Sequence, residues 1–155
     1  MPTVTLTFTT LPEHVRTARL VAAAVARRRG LTEDVLDEIR LAVGEACASA
    51  VGRAQSAGRQ GTVHVQIFER PDRLVVVVNE LGDAGSPASD AAGGAAGEAV
   101  GAAEQVSLTI VRALADEVET VDDDNSAAGI TDESLEPEDD AHAAPTGGLR
   151  LVWHL

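Results

Sequence analysis

Glu45 and Ser49 stand four residues apart in a run of small and aliphatic residues, a spacing that puts a carboxylate and a hydroxyl on one face of a helix. Such a pair can handle a proton or a cation. Equally, Glu45 can be a solvated helix residue paired with Arg53 or Arg40. Farther along, Asn79 and Gly82 close an apolar run, and Ser107 follows a stretch holding Gly93, Gly94, Gly97 and Gly101. His14, His64, His142 and His154 are dispersed and lack metal-ligand spacing. Cys47 lies among small helical residues and reads as core. No Ser/His/Asp constellation can be assembled from one sequence.

The elements that must position these residues are legible in the periodicity. Val4, Leu6 and Phe8 alternate with threonines, as in a half-covered strand. Pro12 opens a helix whose apolar face is Leu11, Val15, Ala18, Ala22 and Val25, and Arg27–Arg29 before Gly30 stops it. Thr32 is placed to cap a second helix, with Glu33 and Asp34 at its positive end. Leu36, Ile39, Val43, Ala46 and Ala50 give its buried stripe, and it should fade near Ala54. Val63, Val65 and Ile67 alternate, Arg70-Pro71-Asp72 turns the chain, and Leu74–Val78 runs apolar: a hairpin. Residues 82–104 read as a flexible Gly/Ala-rich loop. Val106, Ile110 and Leu114 mark a short third helix, Val118 and Val121 a strand, and Leu149, Leu151 and Trp153 a last strand after Gly147-Gly148. The acidic insert 122–147 has too little apolar surface to fold and is expected to be disordered. The order predicts a single α+β domain over 1–155, a two-layer sandwich of one mixed or antiparallel sheet with helices on one face.

The stretch Leu41-Ala-Val-Gly-Glu45-Ala-Cys47-Ala-Ser49-Ala-Val-Gly-Arg53-Ala resembles the N-box of the anti-sigma factor/serine-kinase branch of the GHKL (histidine kinase-like) ATPase superfamily, L-A-V-x-E-A-C-x-N-A-V-x-H-A. Downstream, Leu74–Asp83 sits where that family has an apolar strand ending in D-x-G-x-G. Ser107-Leu-Thr-Ile-Val-Arg-Ala-Leu-Ala-Asp-Glu-Val-Glu119 resembles its last helix and following strand. The likeness covers nearly the whole chain outside the two loops, and it is the order and spacing of the motifs that make it specific.

The resemblance implies roles. Glu45 takes the position of the glutamate beside the γ-phosphate that helps activate the attacking group. Ser49 takes the position of the Mg²⁺-binding asparagine, with a side chain too short to reach the same point. Asn79 is aligned with the aspartate that accepts the adenine amino group, Leu81 with the glycine after it, and Gly82 is retained. Gln105-Val106-Ser107 replaces the G-x-G whose backbone N–H groups meet the phosphates. Every nucleotide motif departs from pattern where it carries chemistry, while the packing positions persist. No bound cofactor is therefore expected, ATP and Mg²⁺ being the ligands if the pocket still works.

Composition narrows the classes. The 155 residues carry a formal charge of −13, every basic side chain is Arg, and aromatics are 2%. That charge speaks against a nucleic-acid partner. Nine acidic residues fall between Asp122 and Asp140, and without them the charge is −4, so the body is only mildly acidic. A single cysteine, the lack of an apolar run of membrane-spanning length and an N-terminus unlike a leader point to the cytoplasm. The resemblance implies a regulator that binds a sigma factor and/or an anti-anti-sigma protein, with room for a homodimer. An active serine kinase of the anti-anti-sigma protein and a plain interaction module with a functional acidic tail are the competing readings.

Overall fold

A computed structural model describes residues 2–58, 60–82, 95–121 and 145–155. Strand β1 is Val4–Thr9, and its alternation of covered and exposed residues follows the Val/Leu/Phe against Thr pattern. Pro12–His14 forms a single 3₁₀ turn leading into helix α1, Val15–Arg28, which buries Ala18, Ala22, Ala23, Val25 and Ala26. Gly30 turns the chain at φ +78°, a conformation open to a residue without Cβ. The arginines before it are structural. Arg28 pairs with Glu69 at 2.6 Å, and Arg29 donates to the carbonyls of Arg70 and Pro71, so α1 ends braced against a hairpin turn.

Helix α2, Glu33–Ser56, runs two residues past the expected end and buries Leu36, Ile39, Val43, Cys47, Ala50 and Val51. Thr32 holds the N-cap position with extended backbone, but its side chain makes no capping bond. Strands β2 (Gly61–Glu69) and β3 (Arg73–Gly82) form the hairpin, closed by Arg70 N–H donating to the Arg73 carbonyl. Helix α3 is Ala95–Leu114, followed by β4 (Glu117–Val121) and β5 (Pro145–His154).

The five strands make one sheet in the order β1-β2-β3-β5-β4, every pairing antiparallel. The helices cover one face. Their apolar stripes meet Val63, Val65, Ile67, Leu74, Val76, Val78, Leu149, Leu151 and Trp153 in the main core. A smaller cluster of Phe68, Val75, Val77 and Val152 lies on the opposite face, as strand alternation requires. Trp153 does more than fill space: its Nε1–H donates to the Leu114 carbonyl at 2.9 Å, satisfying an acceptor that the end of α3 leaves free. The α+β two-layer expectation holds, with the sheet antiparallel throughout.

Two boundaries differ from the sequence reading. Helix α3 begins at Ala95, so residues 95–104 of the expected loop are helical. Gly97 and Gly101 each cost about 1 kcal/mol inside a helix. The alanines and glutamates around them are strong helix formers, and a helix already nucleated by a packed end extends at little cost. The rest of that loop, 83–94, and residues 122–144 of the acidic insert lie outside the described residues. Pro145–Gly147, counted in that insert, belong to β5.

Candidate functional site

Glu45, Ser49 and Arg53 follow one another at one-turn intervals along α2. Opposite them stand α3 and the end of β3. Ser107 on α3 reaches Glu45: its Oγ lies 3.3 Å from Glu45 Oε2 and 3.3 Å from the Glu45 carbonyl oxygen, and donates there. Arg53 is the hub. Its Nη1 donates to Ser49 Oγ at 3.3 Å and to Glu104 Oε1 on α3 at 2.9 Å, and its Nε lies 3.5 Å from Glu80 Oε2 on β3. Glu80 is 1% exposed, the only buried charged side chain among the described residues. The guanidinium thus joins α2, α3 and β3 at one point.

The structure brings Glu45, Ser49 and Ser107 together as the sequence implied. It does not bring Asn79 to them. In the β2–β3 register Val63 faces Glu80 and His64 faces Asn79. Val63 belongs to the helix-side core, so Glu80 shares that face and Asn79 shares the opposite one with Val75 and Val77. Asn79 lies over Gly148 of β5, its Oδ1 buried and without a hydrogen-bond partner among the described residues. Its cross-strand neighbour His64 is half-covered, and burial lowers that imidazole's pKa below 6.5. Leu81 falls on Asn79's side of the strand and so does not fill the cleft. Gly82 ends β3, paired with Gly61.

The carboxylate missed by the sequence reading is therefore Glu80. Glu80-Leu81-Gly82 keeps the spacing of the family's D-x-G, with Glu for Asp. The run Val75–Val78 hides its own phase, because four valines carry no alternation. The signal lay in the other strand: Val63/Val65/Ile67 alternate clearly, and the tight turn at Arg70–Asp72 fixes which β3 residue opposes each.

Residues 105–107 also differ from expectation. They are in the middle of α3, not in a turn before it, so their backbone N–H groups serve the helix and none is free for a phosphate. A Mg²⁺ ion fits poorly at Ser49, since an arginine nitrogen 3.3 Å from that hydroxyl would repel it. Among the described residues, two hollows flank Arg53. One, of about 250 Å³, is walled by Glu45, Ser49 and Ser107; the other, of about 210 Å³, by Leu108, Thr120 and the Gly147-Gly148 backbone. Each is below the roughly 300–1,000 Å³ usual for small-molecule sites. Cys47 sits in the core beneath, its thiol pushed up to about 12 by burial, and is no nucleophile at neutral pH.

On the outer side of α1 and α2 a groove of about 410 Å³ is lined by Arg16, Arg19, Leu20, Asp37, Arg40 and Leu41, with Arg40 paired to Asp37 and with Leu20 57% and Leu41 48% exposed. No helix among the described residues is long and apolar enough to cross a membrane.

Comparison with known proteins agrees with this architecture. The chain is 40% identical over 72 residues to a serine-protein kinase RsbW of Bacillus velezensis, covering 46% of this chain and 45% of that protein. It is 39% identical over 72 residues to the RsbW of Bacillus subtilis, with the same coverage, and 29% identical over 79 residues to that of Listeria monocytogenes, covering 51% of this chain and 50% of that protein. The chain thus spans about half the length of the curated relatives it matches. Residues 8–148 match the histidine kinase-like ATPase domain, from β1 into β5, and the chain belongs to that family.

Proposed function

We propose that this domain regulates by binding protein partners, a sigma factor and/or an anti-anti-sigma protein, with nucleotide binding and kinase activity lost or weak. The observation that carries this reading is the occupation of the cleft by Arg53. Its guanidinium already holds Ser49 and Glu80, polar groups a nucleotide and its cation would need, and is tied to Glu104 as well. The helical state of residues 105–107 supports the same reading, because phosphoryl transfer depends on positioned phosphates and cation charge. The α1–α2 groove gives partner binding a physical basis: Arg16 and Arg19 beside two exposed leucines suit an acidic partner segment with apolar side chains, while Arg40 is paired with Asp37.

A second reading, an active serine kinase of the anti-anti-sigma protein, is favoured by Glu45, by the Glu80-x-Gly82 spacing and by the similarity to serine-protein kinases. Calorimetric titration with ATP and Mg²⁺, followed by capture of candidate partners with and without ATP, separates the two. We expect millimolar or undetectable nucleotide affinity, and partner capture indifferent to ATP and to Glu45→Ala. Micromolar ATP affinity, or ATP-dependent loss of an anti-anti-sigma protein that Glu45→Ala abolishes, would establish the kinase instead. Capture of neither partner type would leave a plain interaction module.

A further inference from the structure

Gly101, Ala102, Ala103, Gln105 and Val106 of α3 are exposed, whereas Glu104 is half-covered. Among the described side chains, the apolar packing of the helix against the core begins at Leu108 and continues through Val111 and Leu114. Glu104 is covered because its carboxylate accepts from Arg53 at 2.9 Å. Arg53 is in turn fixed from behind by buried Glu80 and by Ser49, so the grip on Glu104 comes from a guanidinium with little freedom to swing away.

Arg53 and Glu104 line both hollows, as do Ser49 and Ser107, so the ion pair lies where the two meet. Separately these hollows are too small for a nucleotide. Joined, they would enter the range of roughly 300–1,000 Å³ of ordinary ligand sites. The geometry points to Arg53–Glu104 as an intramolecular latch that holds the first half of α3 onto α2 and bars the cleft to nucleotide-sized ligands. This rests on the reading above that nucleotide binding is weak, and assigns that weakness to closure as well as to altered motif residues.

The test uses the full chain and its Glu104→Ala variant. Alanine is the better helix former, so the substitution does not weaken α3 by propensity. Hydrogen exchange should quicken about two- to fivefold at the amides of 95–104, with α2, β2 and β3 unchanged. ATP·Mg²⁺, the probe ligand, should bind the variant about two- to fivefold more tightly than the parent. Salt at about 0.5 M should quicken exchange in the parent, where a half-exposed ion pair is screened, and leave the variant unmoved. The parent's own affinity judges the weak-nucleotide reading. The difference between parent and variant judges the latch, whatever the parent's affinity. Unchanged exchange at 95–104, or unchanged affinity, would overturn it.

Discussion

A Cβ placed on Gly148 would collide with Asn79 Oδ1 and lie 2.9 Å from the Val78 carbonyl oxygen. The second neighbour is backbone and cannot swing aside. Gly148→Ala should therefore cost about 1–3 kcal/mol as an overpacking change, and Asn79→Ala in the same chain should recover only part of it, because the Val78 carbonyl stays. Urea denaturation of the single and double variants checks this; full recovery would mean that the backbone gives way. Across the strand, His64 makes a pH prediction. Its folded pKa lies below the ordinary 6.5 because burial penalises the imidazolium. Above pH 6.5 the ring is neutral in both states and adds no pH dependence. As pH falls below that value the unfolded chain takes up the proton first, so stability falls. His64→Gln should lose less stability than the parent between pH 7.5 and 5.5, and equal losses would refute the assignment.

Among the elements, α2 carries the site and α3 closes it, and the two contacts Arg53 makes should differ in weight. Glu80 is 1% exposed and Arg53 21%, whereas Glu104 is 37% exposed. Arg53→Ala takes one partner from a buried carboxylate and should cost about 1–3 kcal/mol. Replacing Glu80 by Gln in that background should recover much of this. Glu104→Ala removes a solvent-screened partner and should cost about 1 kcal/mol or less. Thermal denaturation ranks the three variants, and an equal cost for Arg53→Ala and Glu104→Ala would contradict the burial argument. The α1 arginines show the same division: Arg28 and Arg29 are committed to the hairpin, while Arg16 and Arg19 line an open groove.

For the whole molecule, the antiparallel sheet explains how a long insert is tolerated. Val121 of β4 pairs with Gly148 of β5, so the segment between them leaves and re-enters the sheet at adjacent points. Loop-closure entropy grows slowly with length. Replacing residues 123–143 by a short Gly/Ser linker should thus leave the melting temperature within a few degrees of the parent, while raising the isoelectric point. Eight of the nine acidic residues between Asp122 and Asp140 lie in the replaced stretch and make up much of the charge of −13, so the replacement acts on solubility and on encounter with charged partners rather than on the core. A large fall in melting temperature would show that the insert stabilises the body.

Sequence alone determined the element types, the helix-facing stripes of α1 and α2, the hairpin and the family resemblance, because each is written in local periodicity or in motif order. It also determined that Glu45 and Ser49 share a helix face. What it did not determine depended on partners distant in the chain. The face of β3 that meets the site was hidden by four valines and settled by pairing with β2, which exchanged Asn79 for Glu80. The start of α3 was hidden by glycines and settled by a helix that propagates from its packed end. The Arg53 network spans residues 49, 53, 80 and 104, brought together only when three elements pack. Hydrogen bonds and ion pairs need a few ångströms of proximity, and across such separations only the tertiary fold supplies it.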